Sequence, residues 1–192
     1  MARIILMNSF PGPMATWPKP LAADAATTAT PLGIINQHNT FSANYLQLFL
    51  GDRGGCLGET CALALLLGFA YLLYRRVITP VIPLVYVGTA ALLSLLMGRD
   101  VLTDILCGGL LLGAIFMATD YTTSPITLKG QIIYAIGCGC LTMLIRQFGS
   151  LPEGVSYSII IMNILTPLIE RATRPHAFGK APKEKKKEAA QQ

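Results

Sequence analysis

The sequence predicts an all-α, polytopic membrane protein with about five transmembrane helices. Hydrophobic residues make up 53% of its 192 residues and charged residues only 13%, whereas a soluble domain usually carries about 25% charged residues. Long apolar runs separated by short polar hinges occupy residues 59–170, which is the pattern of a chain that crosses the bilayer repeatedly. Seven of the fifteen Lys and Arg residues follow the last apolar run, as in a cytoplasmic anchor.

Residues 1–58 are predicted to hold the end of a helix and a long loop. Residues 1–10 are mostly apolar, but a transmembrane helix needs about 20 residues. This stretch is therefore interpreted as the end of a helix whose beginning is absent. Residues 11–58 are polar and rich in Pro, Gly and Thr, and a loop of that length usually carries a function or is disordered.

Residues 59–170 are predicted to form a five-helix membrane domain. Each apolar run ends at a hinge that contains charged residues, Gly or Pro, and several runs are short for a transmembrane helix. The five helices are predicted to run from about Leu57 to Tyr74, Val81 to Met97, Val101 to Ala118, Gln131 to Arg146 and Gly154 to Ile169.

The basic tail, residues 171–192, predicts the orientation of the helices. If the tail is cytoplasmic, three hinge cations are also inside and two are outside: Arg75, Arg76 and Lys129 against Arg99 and Arg146. With the seven cations of the tail, ten positive residues lie inside, which satisfies the positive-inside rule, and the loop 11–58 is extracytoplasmic. A basic tail can also indicate nucleic acid, but beside a hydrophobic helix the favoured partner is anionic membrane lipid. No nucleic-acid partner is predicted.

The long loop contains a segment rich in hydroxyl groups at residues 24–32, DAATTATPL. From the residues alone, threonines beside alanines in such a segment indicate a turn or a helix cap. The residue pattern by itself indicates nothing more specific.

The same segment resembles the flavin-attachment motif of the RnfD/NqrB family, the membrane subunits of the Rnf and sodium-pumping quinone reductase complexes. The family motif reads approximately Asp-x-x-Ser/Thr-Gly-Ala-Thr, and its last threonine bears FMN through a phosphoester made by a dedicated flavin transferase. Four positions match: Asp24, Thr27, Ala29 and Thr30. Thr30 is therefore the implied attachment residue, and Thr28 stands where the family commonly has Gly.

Further segments resemble the same family in the same order. They are residues 9–17 (SFPGPMATW), 54–60 (GGCLGET), 116–120 (FMATD) followed by Ser124-Pro125, 146–149 (RQFG), 152–155 (PEGV), 166–169 (TPLI) and 173–175 (TRP). The resemblance spans about residues 1–179 and favours RnfD over NqrB. RnfD normally has a further membrane half before the position of Met1. The chain is accordingly interpreted as a C-terminal portion that forms one half of an inverted-repeat-type fold, or as a sequence whose start has been assigned to an internal Met.

The resemblance implies a membrane subunit of an Rnf-type ferredoxin:NAD oxidoreductase complex. Electrons would pass through covalent FMN, and electron transport would be coupled to Na⁺ or H⁺ translocation. The other Rnf subunits and the flavin transferase are the implied partners, no catalytic residue is assigned to this chain, and the binding of a second flavin such as riboflavin stays open. Two alternatives also remain, namely half of a small-solute channel or transporter, and an inactive truncated fragment.

Two acidic residues, Glu59 and Asp104, are candidates for an ion pathway, because acids within membrane segments are costly and usually functional. Both lie near predicted helix N-termini, where a capping role is the alternative. Glycines such as Gly108 and Gly109 allow close helix contact or, as in the family's repeated fold, a helix break. No metal site is predicted at Cys138-x-Cys140, because residues two apart on a helix point about 200° apart.

Overall fold

Helices form nearly all of the described structure. The computed structural model describes residues 9–10, 17–18, 27–28, 45–51, 58–148 and 154–174. Its helices are α1 (Tyr45–Leu50), α2 (Ala62–Tyr74), α3 (Val81–Leu96), α4 (Val101–Leu106), α5 (Leu110–Leu112), α6 (Leu128–Phe148) and α7 (Val155–Thr173), and a π-helical turn (Gly113–Met117) continues α5. Its strands are β1 (Trp17–Pro18) and β2 (Thr27–Thr28).

The centre of the fold is α6, which packs against α3 on one side and α7 on the other. Tyr86 of α3, Tyr134 and Cys138 of α6 and Met162 of α7 are buried in one hydrophobic core. Glycines bring these helices together, because a Cβ on Gly139 would overlap the side chain of Thr89 in α3. Small residues allow this close approach of helix backbones in membranes, so the close-contact interpretation holds for this part of α6.

A network of buried hydroxyl groups joins the same three helices. The hydroxyl oxygen of Tyr86 lies 2.6 Å from Oγ1 of Thr142 in α6 and 3.2 Å from Oγ of Ser158 in α7. Those two oxygens are 2.7 Å apart, and Thr142 also donates to the carbonyl oxygen of Cys138. Each hydroxyl group thus has a partner, as buried polar groups require.

The third predicted helix differs from expectation, because Val101–Ala118 is not one continuous helix. α4 ends at Leu106, and the chain then passes through Gly108 (φ +71°) and Gly109 (φ +66°) before α5 begins. Two left-handed residues cannot continue a right-handed helix, and glycine adopts that conformation without a Cβ penalty. Of the two roles that the sequence leaves open for these glycines, the structure shows the helix break.

The other four predicted segments are helical in the structure, with shifts of up to five residues at their ends. α2 begins at Ala62 rather than near Leu57, and α6 begins at Leu128, three residues before the predicted start. α7 continues to Thr173, past the predicted start of the tail. Among the described helices, α6 alone is long and apolar enough to cross a membrane unaided, whereas α2 and α3 are apolar but shorter.

Candidate functional site

Part of the predicted flavin-attachment segment is described. Thr27 and Thr28 form β2, which pairs antiparallel with β1 so that Trp17 lies opposite Thr28 and Pro18 opposite Thr27. The pairing brings the end of the segment 9–17 beside the threonine motif, although the two are separate in sequence. Asp24, Ala29 and Thr30 lie outside the described residues, so attachment at Thr30 stays a prediction.

The described polar site lies at the break between α4 and α5. Asp104 is only 3% exposed, and its carboxylate accepts hydrogen bonds from two residues that precede α4. Ser94 donates to Oδ2 at 2.7 Å, and Arg99 donates from Nε to Oδ2 and from Nη2 to Oδ1, both at 3.1 Å. This bidentate pairing is the strong form of an arginine–carboxylate contact. We call Ser94, Arg99, Asp104 and Arg146 the break-site cluster.

Arg146 reaches the break from α6. Its Nη1 donates to the carbonyl oxygen of Asp104 at 2.6 Å, and its Nη2 donates to those of Cys107 and Gly108 at 3.2 and 3.3 Å. In an unbroken helix each of these oxygens would accept from the residue four positions later. Arg146 therefore replaces the hydrogen bonds that the break removes.

The buried position of Arg146 corrects one expectation. The charge pattern predicts Arg146 in an outside loop, but the residue lies within α6 and is 1% exposed. Its sequence signal is an arginine that continues an otherwise uncharged apolar run. That signal does not reveal which side of the helix faces inward, since the run is apolar on every side.

Both predicted ion-pathway acids lie near the break. Asp104 is in the first turn of α4, as expected. Glu59 is partly buried, and its carboxylate lies against Gly109, since a Cβ built on Gly109 would be 2.7 Å from Cδ and about 3 Å from both oxygens. The contacts of Asp104 with Arg99 and Arg146 are those of a structural carboxylate, whereas the role of Glu59 in ion movement stays a prediction.

The FMATD segment ends in a loop that follows the π-helical turn. Asp120 accepts hydrogen bonds from Oγ1 of Thr122 at 2.6 Å and from Oγ1 of Thr123 at 3.3 Å. The hydrogen bonds from Thr122 lower the pKa of Asp120, because they stabilise its ionised form. The loop is joined to the end of α7 by the contact between Thr127 and Thr173, whose hydroxyl oxygens are 2.7 Å apart.

Replacement of Gly109 by alanine is expected to displace the carboxylate of Glu59. An alanine in the left-handed conformation should by itself lower the free energy of unfolding by about 1–2 kcal/mol. The displacement of Glu59 should lower it further. Gly98→Ala is the matched control, because Gly98 has φ +68° with nothing within 4 Å of a new Cβ. Melting temperatures in detergent would give the difference between the two variants.

A double variant makes the same test specific to Glu59. In a Glu59→Ala background the carboxylate that the new Cβ would meet is absent. Gly109→Ala should then lower the melting temperature no more than Gly98→Ala does. An undiminished cost in that background would mean that Gly109 is constrained by something other than Glu59.

Comparison with known proteins links this arrangement to one family. The model of the family described as "NQR2, RnfD, RnfE family" matches residues 1–179. The chain is similar to a subunit of the Na(+)-translocating ferredoxin:NAD(+) oxidoreductase complex of Acetobacterium woodii, with 50% identity over 181 residues that cover 93% of the chain and 57% of that protein.

Two further relatives extend the comparison. A subunit of the proton-translocating ferredoxin:NAD(+) oxidoreductase complex of Clostridium ljungdahlii is 46% identical over 197 aligned positions, gaps included, and the alignment covers 93% of the chain and 60% of that protein. A subunit of the ion-translocating oxidoreductase complex of Stutzerimonas stutzeri is 38% identical over 219 aligned positions, gaps included, and the alignment covers 94% of the chain and 62% of that protein. The chain thus spans somewhat more than half the length of the curated relatives it matches.

Proposed function

Because the chain belongs to the NQR2, RnfD, RnfE family, we propose that it acts within a membrane subunit of an Rnf-type ferredoxin:NAD oxidoreductase complex. In this role it carries electrons through FMN attached to Thr30, and the complex couples electron transport to Na⁺ or H⁺ translocation. The oxidoreductase activity is that of the complex, and the other subunits are its partners. The observation that carries the proposal is the 50% identity to a subunit of such a complex over nearly the whole chain.

The residues around Thr30 suit a covalent flavin. Thr30 supplies a hydroxyl group that a flavin transferase can convert into a phosphoester, and Pro31 favours an extended backbone at Thr30. The paired extended strand at Thr27–Thr28 supports the same conformation just before it. Isoalloxazine supplies the redox chemistry when FMN is bound, and a covalent link keeps it at high effective concentration beside its electron donors and acceptors.

The proposed orientation places the flavin-attachment loop outside and the basic tail inside. Arg75 and Arg76 directly follow α2 and fall on the inner side in this orientation, whereas Arg99 follows α3 and falls on the outer side. The basic tail also lies on the inner side in this orientation, where it would contact anionic lipid. The loop that carries Thr30 is then extracytoplasmic.

The proposed ion pathway runs past Glu59 rather than through Asp104. Both carboxylate oxygens of Asp104 already accept hydrogen bonds from Arg99, and Arg146 adds a second positive charge 4.0 Å away. An ion would have to displace these groups to reach Asp104. Glu59 is partly buried, and its carboxylate packs against Gly109, where the chain turns between α4 and α5.

Attachment of flavin is tested by expressing the chain with its flavin transferase and examining denaturing gels for flavin fluorescence. The wild-type band is expected to fluoresce, and Thr30→Ala should abolish the signal, because it removes the hydroxyl oxygen through which the flavin is proposed to be attached. Thr28→Gly is the matched control, since it restores the family motif and leaves Thr30 intact. Its band should be at least as bright as the wild type.

Two results would contradict the proposed attachment. A dark wild-type band, with the transferase shown active on another substrate, would favour a channel half or an inactive fragment. Fluorescence that survives in Thr30→Ala would place the flavin on another residue.

A further inference from the structure

Four oxygen atoms converge at the break between α4 and α5. Three are the carbonyl oxygens of Asp104, Cys107 and Gly108, each within 3.3 Å of a guanidinium nitrogen of Arg146. The fourth is Oδ1 of Asp104, 4.0 Å from Nη1. Carbonyl oxygens at the end of a broken helix, together with a carboxylate, form the type of donor set that binds monovalent cations in membrane proteins.

The group that occupies this donor set is the side chain of Arg146. The side chain is completely buried, and its contacts are made through the two terminal nitrogens, since Nε has no hydrogen-bond partner among the described residues. The positive end of the guanidinium thus points into the carbonyl oxygens, as a bound ion would.

Arg99 binds the carboxylate of the same site from a partly exposed position. It is partly exposed, and it binds the carboxylate of Asp104 on one side and Oε1 of Gln147 on the other. Unlike Arg146, it makes no contact with the carbonyl oxygens of the break. The two arginines therefore have different roles, because Arg146 fills the donor set whereas Arg99 binds only the carboxylate of Asp104.

We propose that the break between α4 and α5 is a monovalent-cation site that Arg146 fills permanently, so that the ions moved by the complex cannot use it. Arg146 acts as a tethered cation: it keeps the carbonyl oxygens of the break in the arrangement of a cation site, and it prevents free ions from binding there. The cation site itself rests only on the contacts of Arg146 and is independent of flavin attachment at Thr30, whereas the exclusion of translocated ions rests on the proposed function.

A filled cation site differs from simple helix capping in one measurable respect. If Arg146 only satisfies hydrogen bonds, its removal destabilises the chain equally in all salts. If Arg146 occupies a cation site, its removal creates a vacancy that small cations can fill. Because these cations bind the folded state and not the unfolded state, they raise the stability of the variant.

The test measures the melting temperature of detergent-purified Arg146→Ala in choline, sodium and potassium chloride at equal ionic strength. A fourth sample has low millimolar guanidinium chloride in choline chloride, at the same total ionic strength. We expect the variant to melt several degrees higher in at least one small cation than in choline. The wild type should show no such difference. Arg99→Ala is the matched control, because it removes a cation from Asp104 while Arg146 still fills the site.

Equal melting of Arg146→Ala in every salt would overturn the proposal, as would an equal cation response in Arg99→Ala. If Arg146→Ala yields no folded protein, Arg146→Lys and Arg146→Gln replace it. Lysine keeps a tethered cation and should give folded protein that is indifferent to the salt, whereas glutamine should fold poorly. Equal yields of these two variants would also overturn the proposal.

Discussion

Asp104→Ala is expected to lower the free energy of unfolding by about 3–5 kcal/mol, because breaking a buried ion pair leaves its partner charge uncompensated. Arg99 is partly exposed and can turn to water, but the side chain of Arg146 has no exposed surface. Ser94 also loses its acceptor. The loss would be measured by denaturation in detergent micelles.

Two variants separate the charge of Asp104 from its shape. Asp104→Asn keeps an oxygen that can accept from Ser94, so it should cost less than the alanine variant. Asp100→Ala removes an exposed acid that makes no capping bond at the start of α4, and it should leave stability unchanged. Normal stability of Asp104→Ala, together with loss of ion translocation, would instead assign Asp104 to the ion pathway.

Gly139→Ala is expected to cost roughly 1–3 kcal/mol, the usual effect of overpacking a tight core. Its new Cβ would overlap the branched side chain of Thr89 and lie 3.3 Å from the carbonyl oxygen of Tyr86. The backbone of α3 cannot move aside without loosening the hydroxyl network around Tyr86. Thermal melts would show a lower midpoint for this variant.

Gly88→Ala, on the neighbouring helix α3, is expected to raise stability rather than lower it. A Cβ at Gly88 meets nothing within 4 Å, so the helix propensity of alanine should stabilise α3 by about 0.5–1 kcal/mol. Equal effects at Gly88 and Gly139 would show that helix propensity, rather than the α3–α6 contact, determines both results.

Helix ends marked by local chemistry could be predicted from the sequence. α2 ends at Tyr74 before two arginines, and α3 and α4 begin at Val81 and Val101 after polar hinges, all as expected. The break at Gly108–Gly109 could not be decided, because glycine serves equally well in a close helix contact and in a left-handed turn. Only the three-dimensional path separates those two roles.

The break-site cluster illustrates why a site is harder to predict than a helix. Glu59 and Asp104 can be identified because acids in apolar segments are conspicuous. Arg146 has the sequence context of a flanking charge, since an arginine near the end of an apolar run normally marks the membrane surface. Its role depends on carbonyl oxygens of residues 38 to 42 positions away along the chain. Every residue has a backbone carbonyl, so the sequence does not indicate which of them Arg146 contacts.

That separation along the chain has a consequence for biogenesis. The ribosome makes α4 well before it makes Arg146, and lipid offers no donor to the carbonyl oxygens that await this arginine. An α4 released alone into the bilayer would hold those oxygens unsatisfied. We therefore expect the segment from α4 to α6 to leave the insertion machinery as one unit, rather than one helix at a time.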